Sequence, residues 1–401
     1  MPASSSRAKA RCCVAPPTTA RPTSTTPGSG ERRTSSSTSS ASRRRRADNY
    51  SCHPGRSVAE SRDRHRLRAS GDPGSACFAL GRDDSFQRNR AHEARFAFAG
   101  SSTMTRIAFI GLGNMGGGMA ANQAKAQHRV RAFDLSAAAV ERAVAAGCHA
   151  AASVAEAVAD AEVVITMLPA GPHVRSVYAE QVLAHASKSA LLIDCSTIDV
   201  ESARAVAKQA AEAGFRFADA PVSGGIMAAE AGTLAFMVGC DTADFPAIEA
   251  ALAPMSRVTI HAGDHGAGQA AKICNNMLLG VSMLGTCEAF ALAEKLGLAA
   301  DRFFEIASKS SGQCWSVTSY CPVPDVGPQT PADRHYEGGF ATAMMLKDLK
   351  LAQDAAAKAG ASTPMGAQAE ALYALFDGNG FGGKDFSAVI QMLRGRLADL
   401  N

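Results

Sequence analysis

The stretch Arg106-Ile-Ala-Phe-Ile-Gly-Leu-Gly-Asn-Met-Gly116 decides the fold, because in it a short apolar run ends at three closely spaced glycines. A short apolar run bounded by turn residues is typical of a buried strand in a parallel sheet. The glycines have the spacing GxGxxG, and the residues after them suit a helix as far as about position 126. The stretch therefore predicts a strand, a tight turn and a helix in immediate succession.

The next apolar segment, Arg129-Val-Arg-Ala-Phe-Asp134, predicts a second strand, and it ends in an acid 18 residues after Gly116. A glycine turn between strand and helix, followed by such an acid, is the fingerprint of a dinucleotide site. Gly111 permits the tight turn, Gly113 lets backbone N–H groups approach a pyrophosphate, and Gly116 lets helix and strand pack closely. Asp134 would bind both ribose hydroxyls and repel a 2′-phosphate, so we predict NAD rather than NADP as cofactor.

Strands and helices go on alternating as far as residue 266. Alanine-rich segments that suit helices separate further strand candidates at residues 162–168, 190–195, 215–220, 233–238 and 257–261. This alternation predicts a Rossmann-like, doubly wound α/β domain over residues 104–266, with the sheet parallel at least in its first half. The stretch Asp219-Ala-Pro-Val-Ser-Gly-Gly225 follows one of these strands, and its hydroxyl and successive backbone amides would suit a carboxylate.

After residue 266 the strand pattern stops. Residues 269–296 can form one long apolar helix, and 301–308, 341–360 and 365–375 also suit helices, which predicts an all-α domain over residues 267–401. In the long helix Lys272 and Asn276 would stand one turn apart on one face, where they can hold a hydroxyl and move its proton. Gly266 and Gly268 would let this helix begin close against another backbone or a ligand.

Residues 1–103 differ from the rest in composition. They carry 19 Lys and Arg against 8 Asp and Glu, whereas the remainder carries 22 against 29. Their richness in Ser, Arg, Pro and Thr predicts a disordered leader, and the lack of an apolar segment excludes a secretory signal. We expect translation to begin at Met104 in a cytoplasmic protein. The alternatives are a transit peptide to the mitochondrial matrix and a tail that binds nucleic acid.

The composition after residue 103 narrows the classes of partner. The excess of acids gives no general footprint for nucleic acid. Seven cysteines lie mostly in apolar runs, with no CxxC pair and no His/Cys spacing for a metal, so we predict buried thiols and no metal site. No run of about 18 apolar residues is present, so we expect no membrane span. The apolar surface of the long helix predicts a homodimer or homotetramer formed through the helical domain.

Together these motifs resemble the β-hydroxyacid dehydrogenase family from about residue 106 to residue 394. The matching stretches, in the family's order, are Phe109-Ile-Gly-Leu-Gly-Asn-Met-Gly116 with Met119-Ala120, Ile165-Thr-Met-Leu-Pro169, Asp194-Cys-Ser-Thr-Ile-Asp199, Asp219-Ala-Pro-Val-Ser-Gly-Gly225, Gly268-Gln-Ala-Ala-Lys-Ile-Cys-Asn-Asn-Met277, Ser311-Gly-Gln-Cys-Trp315 and Lys347-Asp-Leu349. The resemblance implies NAD-dependent oxidation of a small 3-hydroxy acid. The reaction we expect is conversion of 3-hydroxyisobutyrate to methylmalonate semialdehyde, a step of valine degradation.

The resemblance also implies residue roles. Lys272 is the expected general acid and base, and Asn276 is its expected hydrogen-bonding partner. We expect that Lys272 needs no acidic partner. Substrate contacts are expected from Ser223, Gly224, Gly225 and Trp315. Cofactor contacts are expected from Gly111, Leu112, Gly113, Asn114, Met115, Gly116, Asp134, Leu168, Pro169, Thr197 and Lys347.

The chain departs from the family's pattern at three positions, two of them in and just after the helix that follows the glycines. Gln123 stands where relatives carry leucine, Gln127 takes the place of a glycine, and His173 replaces a small polar cofactor contact. We expect these changes to affect cofactor affinity rather than the reaction. Two other functions stay open: reduction of tartronate semialdehyde or another reaction of the family, and a non-catalytic relative associated with nucleic acid, in which loss of Lys272 would be expected.

Overall fold

The structure, a computed structural model, describes residues 104–400, and in them a sheet with helices on both faces is followed by a bundle of helices. The leader predicted over residues 1–103 lies outside the described residues. The first part contains β1 (Arg106–Ile110), α1 (Gly116–Lys125), β2 (Arg129–Phe133), α2 (Ala137–Ala145), β3 (His149–Ala150), α3 (Val154–Val158), β4 (Val163–Thr166), α4 (Gly171–Val177), α5 (Leu183–His185), β5 (Leu191–Asp194), α6 (Val200–Glu212), β6 (Arg216–Asp219), β7 (Val222–Ser223), α7 (Gly225–Ala231), β8 (Leu234–Gly239), α8 (Phe245–Leu252) and β9 (Ser256–Gly263).

The sheet has the strand order β3-β2-β1-β4-β5-β6-β8-β7, with β9 paired to β8. The first six strands are parallel, and β8 runs antiparallel to both β6 and β7. The Rossmann-like fold class and the parallel first half of the sheet are therefore confirmed. Strands β3 and β7 were not predicted, because two residues are too few to produce a hydrophobic period.

The core lies in layers around the sheet. Side chains from one face of the strands pack with α1, α2 and α7, and those from the other face pack with α3, α4 and α6. The central strands β4 and β5 are buried along their whole length, which is why they are continuous apolar runs. The carboxyl ends of these strands form one edge, where an α/β sheet places its ligands.

The second part is helical, as predicted. It contains α9 (Ala267–Lys295), α10 (Ala300–Ala307), α11 (Trp315–Thr318), α12 (Thr342–Ala359), α13 (Pro364–Phe376) and α14 (Val389–Leu393). Helix α9 packs against α12, α13 and α14, and at its other end against β8, so it joins the two parts. The core of the helical part includes the buried rings of Phe290, Tyr373, Phe376 and Phe386.

Helix α9 is also long and apolar enough, by length and composition, to cross a membrane, and among residues 104–400 it is the one helix of that kind. The prediction from apolar runs did not anticipate this, because scattered polar residues interrupt the segment. Three of those residues, Gln269, Lys272 and Asn276, are buried inside the protein. Central helices of folded domains pass the same test of length and composition.

Two of the departures from the family's pattern are Gln123, on α1, and Gln127, two residues after the end of α1, and each has an unfavourable feature. The side chain of Gln123 is fully buried, and its Nε2 donates to the Ala251 carbonyl at 2.8 Å, while its Oε1 has no partner among the described residues. Gln127 has φ +68°, in the left-handed region that favours glycine. His173, the third departure, lies in the first turn of α4 with its side chain exposed.

We expect Gln127→Gly to raise the free energy of unfolding by about 0.5–1 kcal/mol, because it relieves the left-handed strain of a residue with a Cβ. The side chain that is lost makes only a hydrogen bond of 3.5 Å to the Lys125 carbonyl. Urea denaturation measures the change. Gln127→Ala is the control, since it removes the same hydrogen bond and keeps the strain. A glycine variant no more stable than the alanine variant would contradict the prediction.

Candidate active site

The glycine turn after β1 has two positions, Gly111 and Gly116, at which a side chain would clash with the backbone. Gly111 has φ +92°, and a Cβ there would lie 2.3 Å from the Met167 carbonyl oxygen. A Cβ on Gly116 would lie 2.0 Å from the Gly111 carbonyl oxygen. At Gly113, by contrast, a Cβ would meet nothing within 4 Å, so this glycine faces open space in front of helix α1. The turn thus has a tight inner side and an open outer side, as a pyrophosphate site requires.

Asp134, at the end of β2, is tied to this turn. Its Oδ2 accepts from the Leu112 backbone N–H at 2.6 Å, and its Oδ1 accepts from the Ser136 N–H at 2.8 Å. The carboxylate is half-buried and is followed by the exposed Leu135. An anion held in this position repels a second anion placed beside it, which suits a free ribose rather than a 2′-phosphate. Of the other turn residues, Asn114 is exposed and Met115 directly precedes α1.

The loops after β4 and β5 are held together by a buried carboxylate. Asp194 accepts from the hydroxyls of Ser196 and Thr166, at 2.6 and 2.7 Å, and Ser196 Oγ in turn accepts from the Leu168 N–H at 2.8 Å. Burial raises the pKa of Asp194 to about 6. Leu168, with the exposed Pro169 beside it, is thereby fixed next to Gly111, since Leu168 Cδ2 would be 3.2 Å from a Cβ there.

The segment Ser223-Gly224-Gly225 lies between β7 and α7. Gly224 and Gly225 have φ of +136° and +71°, so both adopt conformations that favour glycine. Helix α7 packs on α1, because Asn122 Nδ2 donates to the Ala229 carbonyl at 2.7 Å. The structure thus brings the Ser-Gly-Gly segment and the glycine turn to the same side of the sheet.

Helix α9 is anchored at its first turn by Asp219, the last residue of β6. Asp219 accepts from the Gly266 N–H at 2.6 Å and from the Gln269 N–H at 2.9 Å, which satisfies two donors at the helix start. Burial raises the pKa of this carboxyl. A Cβ on Gly268 would lie 2.4 Å from the Met237 carbonyl oxygen, which confirms that glycine lets this helix begin against another backbone.

Lys272 is 7% exposed, although lysine is rarely buried unless it is paired. Its ammonium makes no hydrogen bond to any other described residue. Burial lowers the pKa of Lys272 to about 8; the negative charge of Asp348 opposes this effect, and the positive charge of Lys347 adds to it. A lysine with this pKa is partly neutral near pH 8, which is what proton transfer requires.

Asn276 is brought to the same face of α9, and it contacts a residue that the sequence interpretation did not assign. Its Nδ2 donates to Oδ2 of Asp348 at 2.5 Å, and both side chains are buried. Asp348 Oδ1 lies 3.3 Å from Lys347 Nζ. Asp348 makes no hydrogen bond to Lys272, so the expectation that Lys272 needs no acidic partner stays a prediction, but the contact of Asp348 with Asn276 was missed. The signal was present in the Lys347-Asp-Leu349 stretch, but which residue of α12 faces α9 depends on helix packing.

Lys347 connects the helical part to the loop after β5. Its Nζ donates to the Thr197 carbonyl at 2.9 Å. The family resemblance implies cofactor contacts for both residues, and the structure brings them into direct contact with each other. Together with Leu168 and the glycine turn, they line one continuous edge of the sheet.

Trp315 is the first residue of α11. Its ring stacks on Tyr320 at 4.8 Å between centroids and is 49% exposed, so it is not a core residue. The preceding Cys314 contacts Thr286, which is about 20 Å beyond Lys272 along the axis of α9. No hydrogen bond among the described residues joins Trp315 to Lys272, and the role of Trp315 in the substrate site stays a prediction.

The cysteines and histidines near the site have other partners. Five of the seven cysteines after residue 103 are buried as predicted, but Cys274 is exposed, because its position on α9 points away from the helix's packed face. Burial raises the pKa of Cys195, which makes it a poor nucleophile. His261 and His265 contact the backbone carbonyls of Cys240 and Phe217. Among residues 104–400, no group of three or more His, Cys, Asp or Glu side chains is placed to hold a metal ion.

Comparison with known proteins adds an independent line of evidence. Residues 106–263 match the model of the NAD binding domain of 6-phosphogluconate dehydrogenase, and residues 266–393 match that of the NAD-binding domain of NADP-dependent 3-hydroxyisobutyrate dehydrogenase. Two relatives from Pseudomonas aeruginosa are a 3-hydroxyisobutyrate dehydrogenase, 50% identical over 73% of this chain and 100% of its own length, and an NAD-dependent L-serine dehydrogenase, 48% identical over 71% and 97%. A solved structure of Mycobacterium tuberculosis 3-hydroxyisobutyrate dehydrogenase with L-serine is 49% identical, with a TM-score of 0.70 over 73% of this chain and 100% of its own.

Proposed function

The chain belongs to the β-hydroxyacid dehydrogenase family, and we propose that it oxidises 3-hydroxyisobutyrate to methylmalonate semialdehyde with NAD as the hydride acceptor. The observation that carries this proposal is the buried Lys272, with a pKa of about 8, on the same face of α9 as Asn276 and one turn after Gln269, whose side chain bonds the loop that follows β5. A dehydrogenase needs a site for the hydride acceptor and a group that takes the proton, and the glycine turn and Lys272 would supply these.

The residues around the glycine turn fit NAD. Gly113 leaves open space for the pyrophosphate, and the half-buried Asp134 would hold the ribose hydroxyls. Leu168, Pro169 and Thr197 would support the nicotinamide half, with Lys347 fixing the Thr197 carbonyl. When bound, NAD supplies the chemistry of hydride acceptance, and the protein supplies orientation and proton transfer.

Lys272 would take the proton of the substrate hydroxyl during oxidation and return it during reduction. The carbinol carbon loses a hydride while its oxygen loses a proton, so a carbonyl forms and both electrons leave with the hydride. Asn276, with its Nδ2 directed to Asp348, would present its carboxamide to the hydroxyl and hold it beside Lys272. Ser223, Gly224 and Gly225 would bind the substrate carboxylate, since they offer one hydroxyl and backbone N–H groups.

A substrate panel tests the proposal. The protein is incubated with NAD and with either 3-hydroxyisobutyrate or L-serine, and NADH formation is followed by absorbance. We expect kcat/KM for 3-hydroxyisobutyrate to exceed that for L-serine at least tenfold, and NAD to be preferred over NADP at least tenfold, because of Asp134. L-serine is the second candidate, since one relative is an L-serine dehydrogenase and another was solved with L-serine. A preference for L-serine, or for tartronate semialdehyde in the reverse direction, would replace the proposed substrate.

Several attributes follow from the proposed function. The pathway would be valine degradation, and the domain boundary would lie at residue 266, between the end of β9 and the start of α9. We propose a homodimer or homotetramer formed through the helical domain, because α9 and α13 expose large apolar side chains such as Leu278, Leu292 and Met365. We place the protein in the cytoplasm, or in the mitochondrial matrix if residues 1–103 are a transit peptide. The presence of Lys272 disfavours the non-catalytic, nucleic-acid-associated alternative.

A further inference from the structure

Gln269 has an unusual pair of contacts across the junction of the two parts. Its side chain is fully buried in the first turn of α9. Its Nε2 donates to the Ser196 carbonyl at 2.7 Å, and its Oε1 accepts from the Ile198 N–H at 3.0 Å. One carboxamide therefore holds the backbone on both sides of Thr197, in the way a neighbouring strand would.

Thr197 is held from a third direction by the helical part, since its carbonyl accepts from Lys347. Asp348, the next residue of α12, accepts from Asn276 of α9. These contacts form a closed ring that runs from the loop after β5 through Gln269, along α9 to Asn276, across to α12 and back to the loop.

Lys272 lies on α9 between Gln269 and Asn276. Residues three and four apart on a helix share a face, so all three side chains project to the same side. The ring therefore fixes where Lys272 stands relative to the loop after β5. Gln269 makes no hydrogen bond to Lys272, and in the proposed function it does not contact the substrate.

We propose that Gln269 is a positioning residue for the dehydrogenase reaction, which sets the distance between Lys272 and the cofactor loop at Thr197. This inference rests on the proposed function. Its physical basis is that a displacement of about 1 Å between a catalytic group and its reactant can lower the rate about 10²-fold. Loss of both hydrogen bonds leaves Lys347 as the one described hydrogen bond from the helical part to this loop, so the loop becomes free to shift against α9.

Gln269→Met tests the proposal, since methionine keeps the length of the side chain and removes both hydrogen bonds. We expect kcat for 3-hydroxyisobutyrate oxidation to fall at least 30-fold, while KM for the hydroxy acid changes less than threefold. The Kd for NADH, measured by its fluorescence, should rise less than fivefold. Hydrogen–deuterium exchange on the free protein should show faster exchange in the peptide that contains the Ile198 amide.

The matched control is Gln391→Met, because Gln391 is also buried and its Nε2 donates to Tyr336 Oη at 3.2 Å, within the helical part. It should lower stability without changing kcat. The proposal is overturned if Gln269→Met keeps a kcat within threefold of the unchanged protein, or loses no more than the control does. It is also overturned if the Kd for NADH rises more than 30-fold while kcat at saturating cofactor is unchanged, because Gln269 would then serve binding alone.

Gln269→Glu keeps the proposal testable if the methionine variant does not fold. A protonated glutamic acid can donate one hydrogen bond and accept another, as Gln269 does here, whereas the carboxylate offers no donor to the Ser196 carbonyl. The kcat of this variant relative to the unchanged protein should therefore rise as pH falls from 8 to 6, and a constant ratio overturns the proposal. If the unchanged protein does not oxidise 3-hydroxyisobutyrate at all, the proposed function fails, while the exchange measurement still tests whether Gln269 holds the loop.

Discussion

Replacing Lys272 with methionine is expected to lower kcat for 3-hydroxyisobutyrate oxidation by about 10²–10⁴-fold, because the reaction loses its general base. Methionine fills the buried space without a charge, so the fold should survive. The Kd for NADH should stay within threefold, since Lys272 makes no hydrogen bond to the described residues of the glycine turn or the Thr197 loop. Steady-state kinetics and NADH fluorescence measure the two quantities.

The role of Lys272 as general base also predicts how kcat/KM depends on pH. Burial lowers the pKa of Lys272 to about 8, so the neutral amine that accepts a proton is scarce at pH 6 and predominant at pH 9. In the unchanged protein, kcat/KM for oxidation should therefore rise about tenfold per pH unit up to about pH 8 and level off above it. For reduction of the aldehyde the protonated amine is needed, so kcat/KM should fall above pH 8.

The control for Lys272→Met is Lys295→Met, which makes the same change at an exposed lysine near the end of the same helix. It should keep both the rate and the pH profile. Residual activity of Lys272→Met that still titrates near pH 8 would assign the proton transfer to another group. A methionine variant with unchanged kcat would remove Lys272 from the mechanism.

The sequence was informative wherever a function depends on neighbours along the chain. The glycine turn, β2 with Asp134 and the start of α9 each depend on a few adjacent residues, and the structure has them within two residues of the predicted bounds. The helical faces were also predictable, because residues 269, 272 and 276 share a side of any regular helix. Local patterns therefore sufficed for the Rossmann-like fold and for placing Lys272 and Asn276 on one face of α9.

The contacts between distant segments were not predictable in this way. Asp348 meets Asn276 only because α12 packs across α9, and no pattern within either helix determines that crossing. Gln269 reads in sequence as one more polar residue of an amphipathic helix, although its carboxamide binds a loop 71 residues earlier. The left-handed backbone of Gln127 was hidden for a different reason. A glycine at this position would have indicated a positive φ, whereas a glutamine gives no such sign.

Gly113→Ala is the sharpest test of the cofactor site, because the added Cβ would fill open space without contacting the protein itself. A Cβ at Gly113 would meet nothing within 4 Å, and the residue is exposed without a positive φ, so the free energy of unfolding should change by less than about 0.5 kcal/mol. The added methyl group would occupy the space through which a pyrophosphate approaches the backbone. We expect the Kd for NADH to rise at least 30-fold, which corresponds to about 2 kcal/mol.

Substitutions at two other glycines distinguish a specific loss of NADH binding from a general loss of stability. Gly378→Ala adds a Cβ at another exposed position with nothing within 4 Å, and it should change neither stability nor the Kd for NADH. Gly111→Ala forces a side chain onto φ +92° and against the Met167 carbonyl, so it should lower stability and binding together. Only Gly113→Ala should weaken NADH binding in a protein that unfolds at the usual urea concentration. If that variant binds NADH normally, the pyrophosphate does not lie at this turn, and the roles given to Asp134 and Leu168 fail with it.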